Sequence, residues 1–198
     1  MSNIAAKLSN SDLLSLEDYH KQRPEFRQRL IAEKKRRRLD IGEHVHLYFE
    51  SRLTMHYQVQ EMLRAEKIFD PEGIAEELAA YNPLIPDGDN FKATMMLQYM
   101  DVDERRVQLT RLVGIEDKVW LRVGNTDPIY AIADEDMDRS TEDKTSAVHF
   151  LRFQLDAQQC QAVKDGAAID AGIDHPNYTS TVSPVGDALR DSLREDLA

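Results

Sequence analysis

Residues 44–50, HVHLYFE, alternate strictly: Val45, Leu47 and Phe49 fall on one side, His44, His46, Tyr48 and Glu50 on the other. Period two is the signature of a strand with one apolar face, so the chain must build a sheet and cover it. Residues 53–59 alternate again, with Leu53, Met55, Tyr57 and Val59 set against Thr54, His56 and Gln58. Together the two runs predict a hairpin. A three-residue loop, Glu50-Ser51-Arg52, pairs Phe49 with Leu53 and makes one face wholly apolar, whereas a two-residue loop mixes the faces. In that register His46 lies opposite His56, with Cβ atoms about 4.5–5.5 Å apart. His44 and Glu50 share the face. Such a set, His44, His46, His56 and Glu50, suits one divalent transition metal such as zinc, iron or nickel. The same residues also read as the wet face of an antiparallel sheet, or as a pH-responsive contact.

The rest of the chain extends this pattern. Ser15 with Glu17 and Asp18 predicts a helix start, and Pro24 suits the first turn of a second helix reaching about Arg37. Around Gln58 the spacing becomes helical (Val59, Met62, Leu63, Ile68), and Pro71 opens another short helix through Leu78. Strands are expected at 93–100, 119–123, 129–133 and 147–155, helices at 102–113 and 156–165, and a mobile acidic loop at 134–144. His175-Pro176-Asn177-Tyr178 is turn chemistry, and Leu189, Leu193 and Leu197 mark a C-terminal amphipathic helix. The fold class is therefore α+β: a largely antiparallel sheet built from hairpins, packed by several helices, with an N-terminal helical segment. Residues 1–40 form that segment and 41–198 the α+β domain, in one compact unit.

Charge is unevenly spread. The net charge is −11, yet residues 21–39 hold nine basic side chains against Glu25 and Glu33. The acidic remainder makes nucleic acid an unlikely partner, because phosphates would be repelled everywhere except at this segment. Arg29, Lys34, Lys35, Arg36, Arg37 and Arg38 are candidates for docking a partner, and they could also fold against the chain's own acidic surface. A single cysteine, Cys160, excludes an internal disulfide framework and a cysteine zinc cluster, and reads as a buried thiol. MSNIAAKLSNSDLL lacks the features of a secretory signal, and no apolar run approaches the roughly 20 residues of a membrane span. Membrane insertion is not expected, and the cytoplasm is. No glycine-rich phosphate loop follows a strand, and no nucleophile stands beside a recognisable base and acid, so no enzymatic activity is assigned.

Two long stretches, SLEDYHKQRPEFRQRLIAEKKRRRLDIGEHVHLYFE and QVQEMLRAEKI, are followed in order by LVGIEDKVWLRVG, AVHFLRFQL and GIDHPNY. In these the chain resembles the bacterial family catalogued as domain of unknown function 3501, over nearly its whole length. The resemblance brings no catalytic residues. It implies a setting, since members are often encoded beside rubrerythrin-like proteins and iron–sulfur proteins related to heterodisulfide reductases. An accessory or interaction protein of a peroxide- and oxygen-defence system, with an iron–sulfur or rubrerythrin-like partner, is what that setting suggests.

Overall fold

The computed structural model describes residues 6–141 and 143–198; the first five residues of the N-terminal stretch and Glu142 of the acidic loop lie outside them. Among the described residues the order is α1 (Leu16–Arg36), β1 (Arg38–Ile41), β2 (Val45–Phe49), α2 (Arg52–Glu66), α3 (Pro71–Tyr81), β3 (Asn90–Leu97) and α4 (Val102–Arg111). There follow β4 (Val119–Val123), β5 (Ile129–Tyr130), β6 (Ile132–Ala133), β7 (Val148–Gln154), α5 (Ala157–Lys164), β8 (Ile169–His175), β9 (Tyr178–Val182) and α6 (Asp187–Arg194).

All strand pairings are antiparallel, in two sheets ordered β1-β2-β3-β7-β6 and β5-β4-β8-β9. The α+β class with antiparallel sheets is as expected. Alternation dictates the core: Val45, Leu47 and Phe49 of β2, Phe91, Ala93 and Met95 of β3, and Leu151 and Phe153 of β7 are buried together with Val119, Leu121, Ala171 and Ile173 of the second sheet. At one corner the chain passes between sheets through Ala131, whose N–H donates to the Val119 carbonyl. At the opposite side Tyr178 Oη donates to the Ile41 carbonyl, 2.7 Å away, and ties β9 to β1. Gly42, at φ +72°, turns β1 into β2 directly under that phenol; a Cβ there would lie 2.5 Å from the Tyr178 oxygen.

On the outer face of the first sheet Glu50, just past β2, accepts from Thr94 of β3 and from Thr54 of α2, which brings the helices against that face. These have a second apolar cluster of their own, made from Leu8, Met55, Val59, Leu63 and Ile85, with Leu16, Ile74 and Leu78 packed around it. The helical layer thus draws on residues before and after position 40.

Two local readings are corrected. Residues 53–59 are not a strand, and the predicted hairpin does not form, because α2 begins at Arg52. Ser51 caps it: its backbone N–H donates to Thr54 Oγ1 at 2.9 Å, and its hydroxyl accepts from the Thr54 N–H. The apolar residues that alternate there also satisfy a helix, with Met55, Val59 and Leu63 on one buried face, and the longer helical period wins. β2 takes β3 as its partner instead, with Tyr48 opposite Thr94. Likewise α1 is one helix with Pro24 inside it, not two. Pro24 is exposed, so the His20 carbonyl that loses its intrahelical partner can bond to water.

Candidate functional site

The buried face of α1 runs Tyr19, Phe26, Leu30, Glu33 and Arg37, a spacing that continues a helical stripe straight through two charged residues. Arg37 is 2% exposed. Its two terminal nitrogens reach Asp196 at 2.8 Å each, and they also donate to the carbonyls of Ser192 (2.8 Å) and Glu50 (3.1 Å). Nε stands 2.8 Å from Glu33 Oε1, an electrostatic contact whose angle does not make a hydrogen bond. Arg36 donates to Glu33 and, twice at 2.7 Å, to Glu195. Arg38 pairs with Asp40 at 2.7 Å, its guanidinium 5.6 Å from the centre of the Tyr48 ring. Half of the six candidate docking residues therefore have carboxylate partners inside the chain.

The other face of α1 is different. Arg27, Arg29, Lys34 and Lys35 are exposed, and so is Ile31, at 58%. Positions 27, 31 and 34 repeat at helical spacing, which places Arg27, Ile31 and Lys34 along one outward stripe.

The histidines predicted to share a face are dispersed. His44 precedes β2, stacks on Tyr99 with ring centres 4.1 Å apart, and donates from Nδ1 to the Gln98 carbonyl. His46 sits on β2 with Nδ1 2.6 Å from Asp40 Oδ1. His56 belongs to α2, edge-on to Phe26, with Nε2 buried and without a hydrogen-bond partner; burial holds its pKa below the ordinary imidazole value. Glu50 accepts hydroxyl hydrogen bonds from Thr94 (2.6 Å) and Thr54 (2.5 Å). The contacts that place these four residues in one metal shell depended on the hairpin, and the helix removes them.

A different histidine gathers ligand-type groups. His149 lies on β7 between Val148 and Phe150, on the side of Leu151 and Phe153, and is fully buried. Its Nδ1 donates to Asp134 Oδ2 at 2.6 Å. Nε2 meets Thr145 Oγ1 at 2.9 Å and the Ser146 carbonyl at 3.1 Å, with Glu116 Oε2 at 3.8 Å. Thr145 and Ser140 both donate to Glu116. Asp134, in the left-handed region at φ +49°, turns its other oxygen to the Phe150 N–H and to Arg139. Burial, reinforced by the neighbouring Glu116 charge, pushes the nearby Asp117 carboxyl up. Residues 134–141 have irregular backbone; Asp134 accepts from the Phe150 N–H of β7, and Ser140 donates to Glu116.

Hydroxyl, imidazole and carboxylate stand in the order of a nucleophilic triad here, but Thr145 is 1% exposed and a substrate has no approach to it. Nε2 thus stands between the Thr145 hydroxyl, which can donate or accept, and the Ser146 carbonyl, which only accepts. The ligand atoms of Glu116, Asp134 and His149, all within 4.8 Å of one another, are a nitrogen and carboxylate set suited to a divalent transition metal.

The family described as "Protein of unknown function (DUF3501)" matches residues 7–197. The chain belongs to that family. A crystal structure from Burkholderia pseudomallei K96243, described as a novel protein of unknown function, superposes with a TM-score of 0.92 at 49% identity, covering 98% of this chain and 100% of that one. No curated protein matches. No helix among the described residues is long and apolar enough to cross a membrane.

For this DUF3501 chain one signal of the buried cluster is present in the sequence: in AVHFLRFQL, His149 falls on the apolar side of the alternation, with Leu151 and Phe153. Glu116 and Asp134 carry no such mark, since a 3-10 turn (Ile115–Lys118) and an irregular loop deliver them. Cys160 is half-buried against the core rather than fully enclosed, and burial raises its thiol pKa.

Proposed function

We propose that this DUF3501 chain is an accessory interaction protein of a peroxide- and oxygen-defence redox system, docking an acidic iron–sulfur or rubrerythrin-like partner through the outward face of α1. The observation that carries this reading is the division of the basic run: Arg36 and Arg37 are spent on the chain's own carboxylates, while Arg27, Lys34 and Lys35 remain exposed around Ile31. A basic stripe with one apolar residue, on a chain of net charge −11, favours oriented docking over general adhesion. The partner class comes from the family's genomic setting. Purification from a native lysate tests it: a rubrerythrin-like or iron–sulfur protein should accompany the wild type and be lost from Arg27→Glu/Lys34→Glu/Lys35→Glu. Absence of such a partner, or its unchanged recovery with the variant, defeats the proposal.

A second reading rests on the buried cluster. Glu116, Asp134 and His149 would hold one divalent transition metal, each offering one ligand atom. Untagged protein should then carry near-stoichiometric metal that His149→Ala loses; metal-free protein sinks this reading and leaves the first untouched.

A further inference from the structure

A cavity of about 410 Å³ lies between the end of α3 and the outer face of β3 and β7. One wall is apolar, from Tyr81, Leu84 and their neighbours, and Phe150 contributes to the opposite wall. That volume falls within the usual range for small-molecule sites, roughly 300–1,000 Å³. What distinguishes it is the floor. Lys92 and Arg152 line it, and they are directly opposed across the β3–β7 pairing. Like charges directly opposite on adjacent strands destabilise a sheet unless something negative sits between or beside them.

The chain answers that repulsion only in part. Lys92 is 8% exposed. Its amine reaches the Pro83 carbonyl and Asp87, each at 2.6 Å, leaving one of three N–H groups without a partner among the described contacts. Burial, with the added repulsion of Lys7 and Arg152, holds its pKa below the ordinary lysine value. Arg152 is gripped by Glu135, whose two oxygens accept from Nε and Nη2 at 2.7 Å each. Glu135 comes from the acidic segment, and its side chain is 50% exposed. A half-exposed carboxylate thus sits bidentate on an arginine at the edge of an apolar cavity. The fork is already fitted to a carboxylate, and the residue filling it is one that water can pull away.

We propose that this cavity binds a small carboxylate with an apolar body. The ligand's carboxylate takes the place of Glu135 on Arg152, beside Lys92, and its apolar body lies against Tyr81, Leu84 and Phe150. Glu135 acts as an internal competitor that closes the site when it is empty. Neither the docking face of α1 nor the cluster around His149 is needed for this.

Calorimetric titration of the full chain with octanoate, and with octan-1-ol as the uncharged control, tests it. Octanoate should bind one to one, and octan-1-ol about tenfold or more weakly, since one charge-assisted bidentate contact is lost. Glu135→Gln should tighten octanoate by removing the competitor and leave octan-1-ol unchanged. Arg152→Gln should weaken octanoate about tenfold or more, with a melting curve showing that it folds. Should Arg152→Gln not fold, the comparison of octanoate with octan-1-ol on the wild type and on Glu135→Gln decides alone. No binding of octanoate, equal affinity for the alcohol, no gain in Glu135→Gln, or unchanged affinity in folded Arg152→Gln each overturns the proposal.

Discussion

Arg37, at the end of α1, and Asp196, just past α6, meet as a bidentate pair with both nitrogen–oxygen distances at 2.8 Å, and both residues are buried. The contact joins positions 159 apart in sequence and makes the C-terminal helix a clamp on the helical layer. Two further carbonyls, Ser192 and Glu50, complete the shell, so the cost of burying the charge is met by four acceptors from two distant stretches of the chain. Removing one side of such a pair strands the other. Arg37→Ala should lose about 3–5 kcal/mol of stability in urea unfolding. Lys34→Ala, three residues earlier on the outward face, should stay within about 0.5 kcal/mol. Equal effects at the two positions would contradict the division of the basic run.

Acid should loosen the same helical layer by a separate route. Glu61 on α2 accepts from Arg23 at 2.7 and 2.9 Å and from Tyr19 at 2.7 Å, and both donors are on α1. The Arg23 contacts outweigh burial, and with Tyr19 and Arg64 they hold the Glu61 carboxyl at about 2, below its ordinary 4.5. A depressed carboxylate contributes stability that is complete above the unfolded-state value and is lost as pH falls through the folded one. Between pH 4.5 and 2 the wild type should therefore lose about 1–2 kcal/mol that Glu61→Gln does not, a figure reduced from the full shift because water reaches the pair. Denaturation curves at stepped pH measure the difference.

The strands at 44–50, 119–123 and 147–155 and the C-terminal helix were legible because each keeps one uninterrupted apolar side against the core. β1 was not: RLDI has only Leu39 and Ile41 to show, and its Arg38 is the last of five consecutive basic residues. Residues 53–59 misled for a definite reason, since Leu53, Met55, Tyr57 and Val59 fit period two while Met55, Val59 and Leu63 fit a helix, and only the Ser51–Thr54 cap breaks the tie. The metal expectation at His44, His46, His56 and Glu50 inherited that error. Arg37's burial was readable in principle, because the Phe26, Leu30, Glu33 spacing runs on into it, but charged residues rarely continue an apolar face. Asp134 and Glu116 became neighbours of His149 only through a loop and a short turn, which no local pattern announces.

The single tryptophan offers a sensitive probe of the second sheet. Trp120 on β4 is paired across from Gly172 on β8, and a Cβ at Gly172 would lie 2.3 Å from Trp120 Cζ2 and 2.9 Å from the Ser180 carbonyl oxygen. The absent side chain is what lets the indole lie flat on the strand. Gly172→Ala must displace the ring or part β8 from β9, at a cost of about 1–3 kcal/mol from overpacking. A shifted tryptophan emission maximum together with a lowered urea midpoint is the expected result; an unchanged spectrum would mean that the indole does not rest there.

The cluster around His149 makes its own demand on Asp134. This residue accepts from the His149 ring, the Phe150 N–H and Arg139, and must also hold φ +49°. Asparagine tolerates that backbone but lacks the charge, whereas alanine lacks both the charge and the local tolerance. Asp134→Asn should cost up to about 3 kcal/mol, because the hydrogen bonds from the buried His149 ring and from Arg139 lose their charged acceptor. Asp134→Ala should cost roughly 1–2 kcal/mol more, the penalty of a left-handed residue without a compensating side chain. In both variants amide exchange should quicken first at the Phe150 N–H, which donates to Asp134 at 2.9 Å, and at the Thr145 N–H, which donates to the Leu109 carbonyl at 3.0 Å. The Phe91 and Met95 amides, deep in β3, should respond only to the overall loss of stability. Uniform acceleration along the chain would show instead that the cluster supports the whole core rather than pinning the acidic segment.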